Sequence, residues 1–151
     1  MLRRIEAVGR RGEAHVMTAG RSDSDITIAA ARHSYHGLLR NGVGLWEYRA
    51  AKLHTKLLVI DDTVYVGSAN FDMRSLFLNL EIMLRIEDRA FADHMRDFAR
   101  AERAGSQRIT NGLHERRRTW FGRLRWGLAY LIVGVLDSEL TRRLNFGWRW
   151  R

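Results

Sequence analysis

Apolar positions along this chain keep two different periods, and the switches between them mark out its elements. Ala14 to Thr18 reads as a short strand, and the polar run Gly20-Arg21-Ser22-Asp23-Ser24-Asp25 after it ends in residues suited to cap a helix. Ile28, Ala31, Tyr35 and Leu38 then recur on one helical face, which predicts a helix to about Asn41, closed by Gly42 as a left-handed stop. Val43 to Tyr48 is the next strand. Leu53 to Ile60 is rich in aliphatic and β-branched residues. With the turn Asp61-Asp62-Thr63 and the run Val64-Tyr65-Val66 it predicts a hairpin. Strand period places His54, Lys56, Leu58 and Ile60 on one face, and Leu53, Thr55, Leu57 and Val59 on the other.

A further strand is expected from Leu80 to Ile86, burying Leu80, Ile82, Leu84 and Ile86 and turning Glu81 to the opposite side. Asp88 is placed to cap a helix whose Phe91, Met95 and Phe98 face the sheet. Strands and helices mix at βα spacing to about Gly105, so the expected class is α/β, a twisted mixed sheet flanked by helices. A polar, basic linker and an aromatic, basic, helical tail follow. The chain is therefore divided near residues 105–115, into residues 1–105 and residues 106–151.

Composition narrows the chemistry. With 151 residues and 46% hydrophobic content, the chain can bury a core without staples. There is no cysteine, so disulfides, thiolate metal sites and cysteine nucleophiles are excluded, leaving His, Asp and Glu as the strong chemical groups. The net charge of +9 is concentrated in the last third, where eleven basic side chains face four acidic ones. Only Lys52 and Lys56 are lysines, so the cationic surface is built of guanidinium groups, which grip phosphate bidentately. Acidic phospholipid and nucleic acid both fit such a surface. The start lacks the apolar run of a signal peptide, and the longest apolar stretch, Trp126 to Leu136, falls short of the ~20 residues that span a bilayer.

One lysine stands in a pattern that carries chemistry. His54-Thr55-Lys56 is followed after four residues by Asp61 and then by Gly67-Ser68-Ala69-Asn70. Two residues apart on a strand, an imidazole and an ammonium emerge side by side. Lysine can offset the charge of a phosphate, and a neutral imidazole nitrogen can attack phosphorus and hold it covalently. Ser68 and Asn70 can donate to the remaining phosphate oxygens, and Gly67 permits close backbone approach.

This His-x-Lys pattern with its spaced Asp61, the Gly67-Ser68-Ala69-Asn70 run and Asn79-Leu80-Glu81 resembles the phospholipase D superfamily over about the first 105 residues. Gly20 to Leu39, Gly42 to Tyr48, Phe71-Asp72-Met73-Arg74-Ser75-Leu76 and Leu78 to Glu81 resemble the C-terminal half of bacterial cardiolipin synthases. The resemblance implies attack on a phosphodiester without metal or other cofactor, through a phosphohistidine discharged by water or an alcohol. His54 is then nucleophile or acid, Lys56 binds phosphate, Ser68 and Asn70 assist it, Asp61 holds the local framework and Glu81 orients the imidazole. In that family two such motifs meet at one pocket. This sequence has one, since His15, His33, His36, His94 and His114 lack a lysine two residues on. The expected partner is a second His-x-Lys half, either upstream in the same enzyme or in a homodimer mate. The helix under way at Leu2 to Arg11 favours the upstream half.

The expected function is therefore phosphatidyl transfer on phospholipids. A single-motif dimeric phosphodiesterase acting on nucleic acid is the alternative, and an inactive fragment or interaction module is a third reading. In the tail, Trp120, Phe121, Trp126, Tyr130, Leu131, Ile132 and Val133 are interspersed with arginines, and Trp148-Arg149-Trp150-Arg151 repeats the theme. That mixture suits peripheral attachment to the phospholipid surface of a bacterial inner membrane, although Trp126 to Leu136 is also of core-helix length. His33 and His36 share a helical face, but no third ligand accompanies them in the sequence, so they read as surface or packing residues.

Overall fold

Along the chain the described elements are α1 (Leu2–Gly9), β1 (His15–Ala19), α2 (Asp25–Arg40), β2 (Gly44–Tyr48), β3 (Leu57–Ile60), β4 (Thr63–Gly67), β5 (Met83–Glu87), α3 (Arg89–Ala104), β6 (Gln107–Ile109), α4 (Asn111–Arg117) and α5 (Trp120–Leu131). These elements come from a computed structural model, which describes residues 2–21, 25–69 and 81–133. The class is mixed α/β, as the periodicity predicts. The strands, however, are shared between two three-stranded sheets, β1-β2-β6 and β3-β4-β5. The described residues fall into two units, one within residues 2–53 and 103–133 and the other within residues 54–102.

In the first unit β1 and β2 run parallel, from His15 opposite Gly44 to Ala19 opposite Tyr48. Parallel strands need a crossover, and α2 supplies it. Gly42 closes this helix at φ 78°, the left-handed geometry expected of it. Tyr35 and Leu38 from α2 pack with Val43, Leu45 and Ile109 to form the main core. Ile109 belongs to β6, which pairs antiparallel with β2. The segment read as a basic linker thus carries a strand, too short to leave a periodic trace of its own.

Helix α5 packs against α2, with Trp126 and Ala129 buried beside Ala29. Thr110 and Thr119 cap α4 and α5, their side chains accepting from the backbone N–H groups of Leu113 and Gly122. Trp126 is therefore a core residue, which agrees with the packing-helix reading of this stretch rather than the interfacial one.

The second unit is a meander. β3 and β4 pair from Leu57 opposite Val66 to Ile60 opposite Thr63, so Asp61-Asp62 form a two-residue turn. Asp61 takes φ 48°, a conformation that aspartate tolerates better than most residues. β5 pairs antiparallel with β4 and forms an edge. Two expectations are corrected here. The ladder begins at Leu57 and not at Leu53, leaving His54 to Lys56 in a loop. Ile82 and Leu84 are 73% and 57% exposed, because Ile82 precedes the ladder and Leu84 sits on an edge strand. Asp88 does cap α3, accepting from the N–H of Phe91 at 2.8 Å, and Ala92 is buried while Phe98 is exposed. Leu80 lies outside the described residues.

Candidate functional site

His54 and Lys56 come together, though by a different route from the one a strand would provide. The loop before β3 curls so tightly that Lys56 Nζ donates to the carbonyl oxygen of His54 at 2.8 Å and lies 2.9 Å from its Nδ1. Lys56 is 8% exposed, whereas His54 is exposed to solvent. An ammonium has only donors, so Nδ1 accepts from it and a neutral His54 ring carries its proton on Nε2. The ring is thus prepared to donate. To attack through Nε2 it must lose that proton, which becomes feasible once Lys56 turns from the ring to another acceptor.

Ser68 and Glu81 form the second part of the site. The Ser68 hydroxyl donates to Glu81 Oε2 at 2.5 Å and accepts from the backbone N–H of Ile82 at 3.1 Å. The backbone adds a further link, from Ser68 N to Ile82 O at 2.9 Å. Expected as a phosphate donor, Ser68 also ties the end of β4 to the segment just before β5, which carries Glu81. Gly67 permits close approach, but of this same chain: a Cβ there would collide with the carbonyl oxygen of Ile82. Asp61 sits in the hairpin turn, and its carbonyl oxygen accepts from the guanidinium of Arg96 on α3. Asn70 lies outside the described residues, as do Phe71 to Leu80.

A charged group that sequence reasoning passed over lies in the first unit. Glu47 on β2 is completely buried and receives Arg32 as a two-pronged pair, Nε to Oε1 at 2.8 Å and Nη2 to Oε2 at 3.0 Å. Arg49 adds a bond of 2.9 Å and Arg117 one of 3.4 Å. Burial alone would raise the Glu47 carboxyl, but the hydrogen bonds from Arg32 and Arg49 and the charges of Arg32 and Arg117 hold it below its ordinary value. The signal was available in the alternation of β2, where Leu45 and Glu47 share the inward face. Beside it the buried Tyr35 hydroxyl meets Thr18 Oγ1 at 2.5 Å, and desolvation raises its pKa.

In the same unit a cavity of about 420 Å³ opens between the start of α2 and α5, lined by Ile26, Ala29, Phe121, Leu124, Leu128 and Ile132 among others. None of the residues assigned to phosphate lines it. Trp120, Phe121, Leu124, Leu128 and Leu131 are exposed. No helix among the described residues is long and apolar enough to cross a membrane. The motif Trp148-Arg149-Trp150-Arg151 lies outside the described residues.

The family model described as "Cardiolipin synthase, PLD-like domain" matches residues 1–101. A cardiolipin synthase B of Escherichia coli O6:H1 is 34% identical over 155 residues, covering 97% of this chain and 38% of that protein. A cardiolipin synthase B of Salmonella typhi is 39% identical over 99 residues, 64% of this chain and 24% of the relative. A cardiolipin synthase A of Pseudomonas entomophila is 37% identical over 105 residues, 69% of this chain and 22% of the relative. The chain thus spans well under half the length of these curated relatives. No solved structure matches it.

Proposed function

Because the chain belongs to the PLD-like domain family of cardiolipin synthases, we propose that it supplies one half of a two-motif site that moves a phosphatidyl group from a phospholipid to an alcohol. The observation that carries this reading is the pairing of Lys56 Nζ with His54 Nδ1 at 2.9 Å in a loop that leaves the imidazole open to solvent.

The chemistry follows from the groups present. An arriving phosphodiester offers Lys56 a charged acceptor in place of the ring and the His54 carbonyl, and the ammonium moves onto a phosphate oxygen. With its proton transferred to Nδ1, His54 attacks phosphorus through Nε2. The bond from phosphorus to the leaving alcohol breaks, and the histidine of the second half protonates that alcohol. An incoming alcohol gives its proton to the second histidine, bonds to phosphorus and releases His54. Lys56 offsets charge on the phosphoryl oxygens throughout. Ser68 and Asn70 assist at those oxygens, and Glu81 is the carboxylate that steadies the imidazolium charge.

Lipid access belongs to the same proposal. The exposed aromatic and aliphatic side chains of α5, with Arg116, Arg118, Arg123 and Arg125, suit peripheral contact with an anionic membrane. The test joins this chain to a second His-x-Lys half and supplies phosphatidylglycerol vesicles. The expected product is a new phosphatidyl ester, with a phosphatidyl group trapped on His54 by a denaturing quench at neutral to mildly alkaline pH, where the phosphorus–nitrogen bond survives. Absence of both, or full turnover in His54→Asn, would overturn the proposal.

A further inference from the structure

Outside the residues assigned to phosphate, the described residues hold one further convergence of metal-ligating side chains, and it lies in the first unit. The sequence offers His33 and His36 as a pair without a third donor. The fold separates them. The ring of His33 stacks on Tyr130 at a centroid distance of 4.8 Å, whereas His36 faces α4 and meets His114 and Glu115. One ligand atom from each of His36, His114 and Glu115 lies within 4.8 Å of the others.

The three differ in how firmly they are held. His114 is only 3% exposed, stacked on Trp126 at 5.3 Å and tilted against Tyr35 at 6.0 Å, so its ring is fixed by packing. Packing thus sets the position of its ligand nitrogen, within 4.8 Å of the ligand atoms of His36 and Glu115. The other two are adjustable. His36 Nδ1 and Glu115 Oε1 are 3.5 Å apart, on side chains 38% and 54% exposed.

We propose that His36, His114 and Glu115 form a three-ligand site for a divalent ion of the zinc class, with a fourth position for water. Bonds of about 2.0–2.2 Å in tetrahedral geometry place ligand atoms roughly 3.3 Å apart. Small rotations of the two exposed side chains toward the fixed imidazole close the present spacing. Two imidazole nitrogens and one carboxylate oxygen select zinc, cobalt or nickel over magnesium and calcium, which take oxygen ligands. Arg118 Nη1 already donates to Glu115 Oε1 at 3.1 Å, so the ion competes with a guanidinium for that oxygen. Once bound, the ion ties α4 to α2, joining two helices that flank the main core.

The full chain, stripped by a chelator, is titrated with Co²⁺ alone, followed by visible absorption, and with Zn²⁺ alone by equilibrium dialysis. One equivalent is expected, with ligand-field bands from cobalt and a thermal midpoint that rises with zinc. His36→Gln and Glu115→Gln should each weaken binding at least tenfold, and His33→Gln should leave it unchanged. His114 is buried and its replacement endangers folding, so the exposed pair carries the test. Failure to bind one equivalent, binding that survives both exposed substitutions, or equal loss in His33→Gln overturns the site. None of these outcomes bears on phosphatidyl transfer, which is assayed separately.

Discussion

The ammonium of Lys56 reaches back over its own loop to both Nδ1 and the carbonyl oxygen of His54, at 2.9 and 2.8 Å. Two groups proposed to act on one phosphate thus hold each other before it arrives. Replacing either should damage catalysis more than folding. In the protein completed by a second half, His54→Asn should lower turnover on the order of 10³-fold or more. Lys56→Gln should lower it by about 10²–10³-fold through lost charge stabilisation. Vesicle-based product formation measures both. The thermal midpoint of His54→Asn should stay near that of the parent, because the side chain is exposed.

Ser68→Ala removes a donor to Glu81 and an acceptor for the N–H of Ile82. Each lost bond costs about 0.5–1.5 kcal/mol in an ordinary setting, and partial solvent access keeps the total near the low end. Denaturant unfolding should detect that loss. Turnover should fall further than stability alone explains if the hydroxyl also positions Glu81, and Ser68→Thr should restore part of it.

Glu47 gives the fold an acid-sensitive point. Its folded carboxyl lies below the ordinary value while the unfolded chain keeps that value, so the unfolded state takes up its proton first as pH falls. The stabilisation is complete above the ordinary carboxylate pKa, and drains away from about pH 5 downward toward the depressed folded value. Glu47→Gln should flatten that acid limb of the stability curve. It should also cost about 3 kcal/mol at neutral pH, the low end for a broken buried pair, because the three arginines retain some contact with water. Urea unfolding across pH checks both.

Two sides of α5 should separate under mutation. Trp126→Ala opens a cavity against α2 and should destabilise by about 3–5 kcal/mol. Leu124→Ser and Leu128→Ser alter exposed positions and should leave stability within about 0.5 kcal/mol. The same two serines should reduce co-sedimentation with anionic vesicles. Unchanged co-sedimentation would remove the lipid role proposed for this helix.

Periodicity gave α2, β2, the hairpin and the Asp88 cap because each rests on local spacing and local capping chemistry. The grouping of His54 with Lys56 was expected from strand alternation, but a loop before β3 achieves it instead. Sequence alone could not assign Ile82 and Leu84 to a bare edge, since exposure there depends on which strands the sheet lacks. His36 posed a similar difficulty, because its neighbours come from a helix far along the chain. Gly67 was recognised as a point of close approach, but only the fold identifies the approaching backbone as that of Ile82.

Strand β6 covers one flank of β2, and it lies past residue 101, where the family match stops. Shortening the polypeptide to the matched region would strip Gln107 to Ile109 from the sheet and remove Ile109 from the cluster around Leu45. Bare amide and carbonyl groups along β2 would then invite pairing between molecules. The stretch that the family model matches is therefore smaller than the stretch that must be made for well-behaved material.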